Sequence, residues 1–186
     1  VTRILALDLG TACGWAKHDP DWRSMPVQTS HFDPTISFGT FDLRAGQHSG
    51  GGMRFLKFRR ELSNFADIDE VTYEIVRRHA GTAAAHVYGG LLAILTAWCE
   101  ENKIPYEGRT VQAIKKFSTG RGNADKESVI KAVEGWGFQP KNDNEADAIA
   151  LLRLRLSENE TLEPVVPLPK GRREVVSGAR LRAACR

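Results

Sequence analysis

The chain has 186 residues, with 26 lysines and arginines against 23 aspartates and glutamates, a formal charge of +3, and 41% hydrophobic residues. This is the composition of an ordinary globular protein and the length of one domain of about 150 residues plus a tail, too short for two full-sized lobes around a cleft. No apolar run approaches the roughly 18 residues of a membrane span, so no membrane association is expected. The N-terminus enters a strand without a charged-then-apolar leader. The three cysteines, Cys13, Cys99 and Cys185, are far apart and suit neither a disulfide framework nor a zinc knuckle; a reducing cytoplasm is the expected setting.

Arg3–Leu9 is nearly all apolar, the pattern of a strand buried on both faces. Gly10 to Gly14 reads as a turn and Trp15–His18 as a returning second strand. Residues 19–35 hold three prolines and read as a loop, and Ile36–Leu43 alternates well enough for a third strand. His48–Gly52 is a glycine-rich hinge. From Met53 to Phe65, Phe55, Phe58, Leu62 and Phe65 recur at helical spacing. Val71–Val76 is a further buried strand. Thr82–Asn102 is a long alanine-rich helix with Val87, Leu91, Ile94, Leu95 and Trp98 on one stripe.

Thr110 caps a short helix from Val111 to Phe117, and Gly120-Arg121-Gly122 is a loop. Lys126–Glu134 is an amphipathic helix behind an Asn123 or Asp125 cap, and a last helix runs from Asn144 to about Leu156. The order β-β-β-α-β-α predicts an α/β layer fold, with one domain over 1–157 and a tail over 158–186 that is proline-containing and then basic. Residues 170–186 carry six basic residues and one acid, net +5, leaving 20 basic and 22 acidic residues before them. The positive charge of the chain therefore belongs to its tail, which can add non-specific affinity for a polyanion. The slightly acidic domain has only local basic patches, at Arg54–Arg60, Arg77-Arg78 and Lys115–Lys126.

Two apolar strands each carry one carboxylate, Asp8 in ILALDLG and Glu74 in VTYEIV. Burying an unpaired carboxylate costs several kcal/mol, so each implies a compensating cation, a salt bridge or a strand end that reaches water. A third acidic group lies at Asn142-Asp143-Asn144-Glu145-Ala146-Asp147, where Asp147 shares a helix face with Asn144 and Asp143 and continues into apolar Ala150 and Leu151. Asp143 and Glu145 also suit a helix N-terminus on electrostatic grounds alone. Oxygen-rich carboxylate clusters favour Mg²⁺ or Mn²⁺ over zinc, and two such ions about 4 Å apart are a common machine for phosphodiester hydrolysis. Around the glycine loop, Lys115, Lys116, Arg121 and Lys126 offer cations for a phosphate backbone or a solvated surface.

These residues resemble the RuvC-type Holliday-junction resolvases, phage-encoded members included, over residues 3–156. The pieces follow in order: Asp8-x-Gly10 with Gly14-Trp15, then Glu74, a long helix, Gly120-Arg121-Gly122-Asn123-Ala124-Asp125-Lys126, and Ala146-Asp147-Ala148. The Gly-x-Gly-x-Ala-Asp-Lys stretch is the most specific of them.

The resemblance implies a ribonuclease H-like fold, with a mixed central sheet of about five strands flanked by helices. It also implies Mg²⁺- or Mn²⁺-dependent cleavage of four-way or other branched DNA by two metal ions, leaving a 5′-phosphate and a 3′-hydroxyl. A homodimer working in a bacterial cytoplasm, or a host's if the protein is phage-encoded, goes with it. The stripe of the Thr82–Asn102 helix is a candidate dimer face, though core packing explains it equally well.

By the same resemblance the metal-binding and catalytic carboxylates fall on Asp8, Glu74 and Asp147, and the fourth ligand falls on Asn144. The family usually has Asp there, and Asn brings a carbonyl but no charge. That departure leaves open a weaker second metal or substitution by Asp143. The catalytic and DNA-contacting lysines fall on Lys115 and Lys126. Arg77, three residues past Glu74 and followed by Arg78, stands where cellular members tend to have an aromatic, and favours phosphate contact. Two other classes stand beside this one. Asp8-Leu9-Gly10-Thr11 resembles the first phosphate loop of actin-like ATPases and sugar kinases, which need a second lobe, and a non-catalytic branched-DNA-binding module would tolerate the loss at Asn144.

Overall fold

The computed structural model describes residues 2–21, 33–44, 46, 48, 50–65, 67–78 and 81–162, with side chains as far as Asn159 in the final helix. Most of the proline loop expected over 19–35, and the tail from 163 onward, lie outside the described residues.

Alternation along the strands separates two apolar layers. In β1 (Ile4–Asp8), Ile4 and Ala6 face one side and Leu5 and Leu7 the other, all buried. β2 (Ala12–His18) pairs antiparallel to β1, and β3 (Ile36–Asp42) antiparallel to β2. β4 (Glu70–Ile75) lies parallel to β1 on its other side, and β5 (Tyr106–Thr110) parallel to β4. The result is a mixed five-stranded sheet in the order β3-β2-β1-β4-β5.

On one face Leu5, Leu7, Cys13 and Val71 meet α1 (Met53–Ser63) through Phe58 and Leu62, and α2 (Thr82–Asn102) through Leu91, Leu95, Trp98 and Cys99. On the other, Ile4, Ala6, Ala16 and Ile36 meet α5 (Asp143–Leu162) through Ala146 and Ala148 to Leu152. Ile114 of α3 (Val111–Thr119) and Val129 and Val133 of α4 (Lys126–Gly135) complete that layer. Each fully buried Leu, Ile or Phe contributes about 1.5–3 kcal/mol, so both layers count toward stability.

Several elements depart from the sequence expectation. β2 begins at Ala12 rather than Trp15, because Cys13 and Gly14 already pair with Phe41 and Thr40. β5 is an edge strand with two charged residues, Glu107 and Arg109, which hid it from a hydrophobicity pattern. α5 starts at Asp143 and runs to Leu162, past the expected end. Of the glycine hinge, Gly50 to Gly52 turn directly into α1, the Gly50 carbonyl accepting from the Met53 N–H at 3.0 Å.

Most of the apolar stripe of α2 is spent on the core: Leu91, Leu95 and Trp98 are buried beneath the sheet, with Val87 and Ile94 partly buried beside them. α2 is also the one helix among the described residues long and apolar enough in composition to cross a membrane, contrary to the expectation that no segment would be. Its hydropathy comes largely from Val87, Leu91, Leu92, Ile94 and Leu95, all of which belong to or pack against the core layer.

One close approach positions the two halves of the fold. A β-carbon on Gly14 would overlap the carbonyl group of Asn144 at the start of α5. Only glycine lets the helix backbone rest on the strand there. Gly14→Ala is therefore expected to destabilise the protein by about 2 kcal/mol or more, read as a lower midpoint of denaturant unfolding. Gly51→Ala, with open space around it, serves as the control. Equal midpoints for the two variants would show that α5 does not depend on this contact.

Candidate active site

The site is built on one row across the sheet. Gly14 is the register partner of both Thr40 and Asp8. Leu7 pairs with Tyr73, so the next step along the parallel strands sets Asp8 beside Glu74, about 4.8 Å apart in backbone. By the two-residue alternation Asp8 follows Ile4 and Ala6 onto the α5 side, and Glu74 follows Glu70 and Thr72 onto the same side. Glu70 confirms this parity through its ion pair with Arg155 of α5, at 3.0 Å from Nη2 to Oε2. Both carboxylates lie toward the C-terminal ends of parallel strands, where open α/β sheets place their ligands.

α5 enters over this row under tight control. Asn142 is its N-cap, Oδ1 accepting from the Glu145 N–H at 3.0 Å. Glu145 is buried; its Oε2 accepts from the Lys141 N–H at 2.7 Å and its Oε1 from the Thr40 hydroxyl at 3.2 Å. The Asn142 amide donates to Thr40 Oγ1 at 3.1 Å. Glu145 is thus a structural acid that ties the helix start to β3. The Asn142-x-x-Glu145 spacing is the signature of a capping box and could have revealed this role. Asn144 follows with its backbone against Gly14, and Asp147 comes one turn later, half-buried.

The electrostatics show which groups face one another. Burial pushes the Asp8 carboxyl up to about 7, with Asp147 and then Asp143 adding repulsion and Lys126 opposing. Burial likewise raises Glu74 to about 8, reinforced by Asp8 and Asp147 and relieved by Lys115 and Lys126. Asp147 rises to about 6 by burial, with Lys126 opposing, Asp143 adding and Lys115 opposing. Three carboxylates, from β1, β4 and α5, are thus each desolvated and within electrostatic reach of Lys126.

Lys115, half-buried on α3, donates from Nζ to the Ala124 carbonyl at 2.6 Å. Lys126, at the start of α4, forms an ion pair with Asp143 that crosses from α4 to α5. That contact holds the Asp143 carboxyl below its usual range and raises the Lys126 ammonium. Asp143, expected as a possible substitute ligand, is thus engaged by a lysine. Lys116, Arg121, Arg77 and Arg78 are exposed, the last two just past the end of β4.

The donor set suits a hard divalent cation: three carboxylates, the neutral Asn144 and no soft ligand, since Cys13 belongs to the opposite apolar layer. Among the described residues no three His, Cys, Asp or Glu side chains already enclose a metal-sized space, so a cation would have to draw the carboxylates together. A cavity of ≈ 450 Å³ lined by Thr2, His18, Phe117 and Arg153 lies at the opposite end of β1 from Asp8 and is no part of this site.

Asp8 and Glu74 hold their protons to higher pH in the fold than their ordinary values of 3.8 and 4.5. From about pH 4 to about pH 8 the folded state binds more protons than the unfolded chain, so stability falls as pH rises through that window. Metal-free protein in chelator is expected to melt at progressively lower temperature from pH 5 to pH 8, and Asp8→Asn to flatten that decline. A wild-type midpoint that climbs across this range would contradict the assignment.

No protein-family profile and no curated protein matches the chain. Solved structures do. Thermus thermophilus RuvC in complex with a Holliday junction substrate superposes with a TM-score of 0.67 at 16% identity, covering 87% of this chain and 96% of that one. A second Thermus thermophilus RuvC structure gives 0.63 at 16% identity, covering 86% and 96%. The yeast mitochondrial Holliday junction resolvase Ydc2 gives 0.51 at 12% identity, covering 86% and 84%. The chain therefore has the α/β ribonuclease H-like fold of the RuvC-type resolvases it resembles.

Proposed function

We propose that the protein is a divalent-metal-dependent endodeoxyribonuclease that cleaves branched DNA, four-way junctions foremost, and acts in the cytoplasm. The observation that carries this reading is the convergence of Asp8, Glu74 and Asp147 from β1, β4 and α5 on one face of a RuvC-like fold. A single sheet of this kind is present among the described residues, and a phosphate loop at Asp8–Thr11 has no second lobe there to close on a nucleotide. That disfavours the kinase-like alternative.

Asp8, Glu74 and Asp147 would hold Mg²⁺ or Mn²⁺, with the Asn144 carbonyl as a neutral donor, and give up their retained protons on doing so. The bound cation supplies polarisation of the scissile phosphate and a more acidic water. Lys115, anchored by Ala124, is placed to stabilise charge developing on the phosphoryl oxygens. Arg77, Arg78, Lys116 and Arg121 bind flanking phosphates and position the duplex arms. A two-fold junction calls for two symmetric cuts, hence a homodimer, which light scattering of the purified protein would report. Asn144 favours one second reading, a module that binds junctions without cutting them.

Asp8→Asn separates these readings. It is expected to lower Mg²⁺-dependent nicking of a four-way junction by about 10²–10³-fold or more, while gel-shift binding to the same junction is retained. A variant that still nicks at the wild-type rate would refute this site, and wild-type protein that binds but never nicks in Mg²⁺ or Mn²⁺ would establish the module. Four-way, three-way, flap and linear substrates compared side by side should show the linear duplex cut least. Equal cutting of all four would remove the branched-DNA specificity.

A further inference from the structure

The space between the sheet and α5 is not filled evenly. At its start α5 rests on Gly14. Beneath its far half a cavity of ≈ 450 Å³ remains, with Ile4 and His18 of the sheet on one side and Arg153 and Leu156 of α5 on the other. Small-molecule sites typically span roughly 300–1,000 Å³. Ile4 and Asp8 stand at opposite ends of β1, about 13 Å apart along the strand, so a ligand here does not touch the carboxylates.

The lining combines an open aromatic ring with polar groups. Phe117 of α3 is 37% exposed, with Trp136 packed against it at 5.9 Å between ring centroids. The Arg153 guanidinium lies 5.4 Å from the Trp136 ring centroid. Among the described residues Arg153 has neither a hydrogen bond nor an ion pair, whereas Arg155 on the same helix is paired with Glu70. His18 Nδ1 meets the Thr2 carbonyl at 3.0 Å. A carbonyl only accepts, so Nδ1 carries the proton and Nε2 is left for another partner. Asp33, the one carboxylate among the described lining residues, accepts from the Thr35 N–H and hydroxyl at 3.1 and 2.6 Å.

Helix ends set the field at this end of the sheet. Phe117 lies in the last turn of α3, Trp136 directly follows α4, and Asn159 lies in the last turn of α5. Each of these C-termini carries about half a negative charge, and together they offset the single positive charge of Arg153. The cavity therefore has donors, acceptors and a stacking surface but no surplus charge to hold an anion. Those features suit a planar, uncharged ligand with hydrogen-bonding edges.

We propose that this cavity binds a nucleobase, guanine before the others. Phe117 supplies the stacking surface. Arg153 supplies a fork of N–H donors for guanine O6 and N7, where adenine presents a donor in place of the oxygen. His18 Nε2 and the Asn159 amide serve the remaining edge. The base arrives either on a free nucleoside or on an unpaired residue of a DNA strand.

Calorimetric titration of the full chain with 2′-deoxyguanosine, in chelator so that no metal is bound, tests this. One site per chain is expected, with a dissociation constant of about 0.1 mM, the scale for a ligand of nucleoside size. Deoxyadenosine should bind about tenfold more weakly. Phe117→Ala should weaken deoxyguanosine about tenfold, and Phe117→Tyr should restore it. Arg153→Gln should erase the preference for guanine. Denaturant midpoints confirm that each variant is folded.

Absence of saturable binding, or equal affinity in wild type, Phe117→Ala and Arg153→Gln, would overturn the proposal and leave Arg153 as a counter-charge to the helix ends. Deoxyguanosine monophosphate binding much more tightly than the nucleoside would also overturn it, in favour of an anion site. A single-stranded oligonucleotide with one guanine separates the two sources. Binding at least as tight as the nucleoside's identifies an unpaired DNA base, and weaker binding identifies the free nucleoside. Failure of any of these leaves the nuclease reading untouched, since that rests on Asp8, Glu74 and Asp147.

Discussion

The close approach of the α5 backbone to Gly14 is the contact on which the site depends. A helix normally packs on a sheet at about 10 Å, held off by side chains on both surfaces. Removing the β-carbon at Gly14 lets the Asn144 peptide descend onto the strand itself. Because Gly14 is the register partner of Asp8, the N-terminal turn of α5 is delivered one strand away from the first carboxylate and two from Glu74. Thr40, on the other side of Gly14 in the same row, supplies the hydroxyl that fastens Glu145 and Asn142. One transverse row, Thr40–Gly14–Asp8–Glu74, thus serves in turn as anchor, seat, acid and acid.

Holding carboxylates in such a row has a free-energy cost, and the fold meets it by two routes. Acids that serve structure are satisfied locally. Glu145 is saturated by hydrogen bonds, and Glu70 lies in a sealed pair with Arg155, each side chain less than 15% exposed. Among the described residues no arginine is paired with the acids that face the site, and their protonation is raised instead. The difference between these two sets, more than the number of acids, is what the proposed role of Asp8, Glu74 and Asp147 draws on.

Much of this was readable before any coordinates. Charged residues inside apolar strands singled out Asp8 and Glu74, and helical periodicity found α1, α2 and α4 nearly to their ends. What was not readable has specific physical causes. β5 carries Glu107 and Arg109 because it is an edge strand whose charges are paired, Arg109 with both Glu107 and Glu158, so its pattern lacks the apolar run of a central strand. Gly14 looked like a turn residue, since nothing in a single sequence tells a glycine used for backbone freedom from one used for close packing. The stripe on α2 could have been a core face or an interface, and only the sheet beneath it showed that Leu91, Leu95 and Trp98 serve the core. The Lys126–Asp143 pair joins two helices across a loop, and no local pattern carries such information.

The two kinds of charge at the site are also held differently. α5 is fastened near both ends: at its start by Asn142, Glu145 and the seat on Gly14, and farther along by Arg155 on Glu70 and Glu158 on Arg109, at 2.6 Å. Asp147 lies between these anchors, and Asp8 and Glu74 belong to adjacent strands of the sheet, so the carboxylates move only if the core moves. The cations come from elsewhere. Lys126 opens a helix that packs chiefly on α5 and α3, and its side chain reaches the site through solvent. Lys115 depends on the Ala124 carbonyl in the loop between those helices. A rigid set of acids beside an adjustable set of amines suits an enzyme whose substrate is itself a polyanion. On the proposed function, the acids would keep their geometry for a metal, while the amines could transfer from protein carboxylate or carbonyl to DNA phosphate as the substrate arrives.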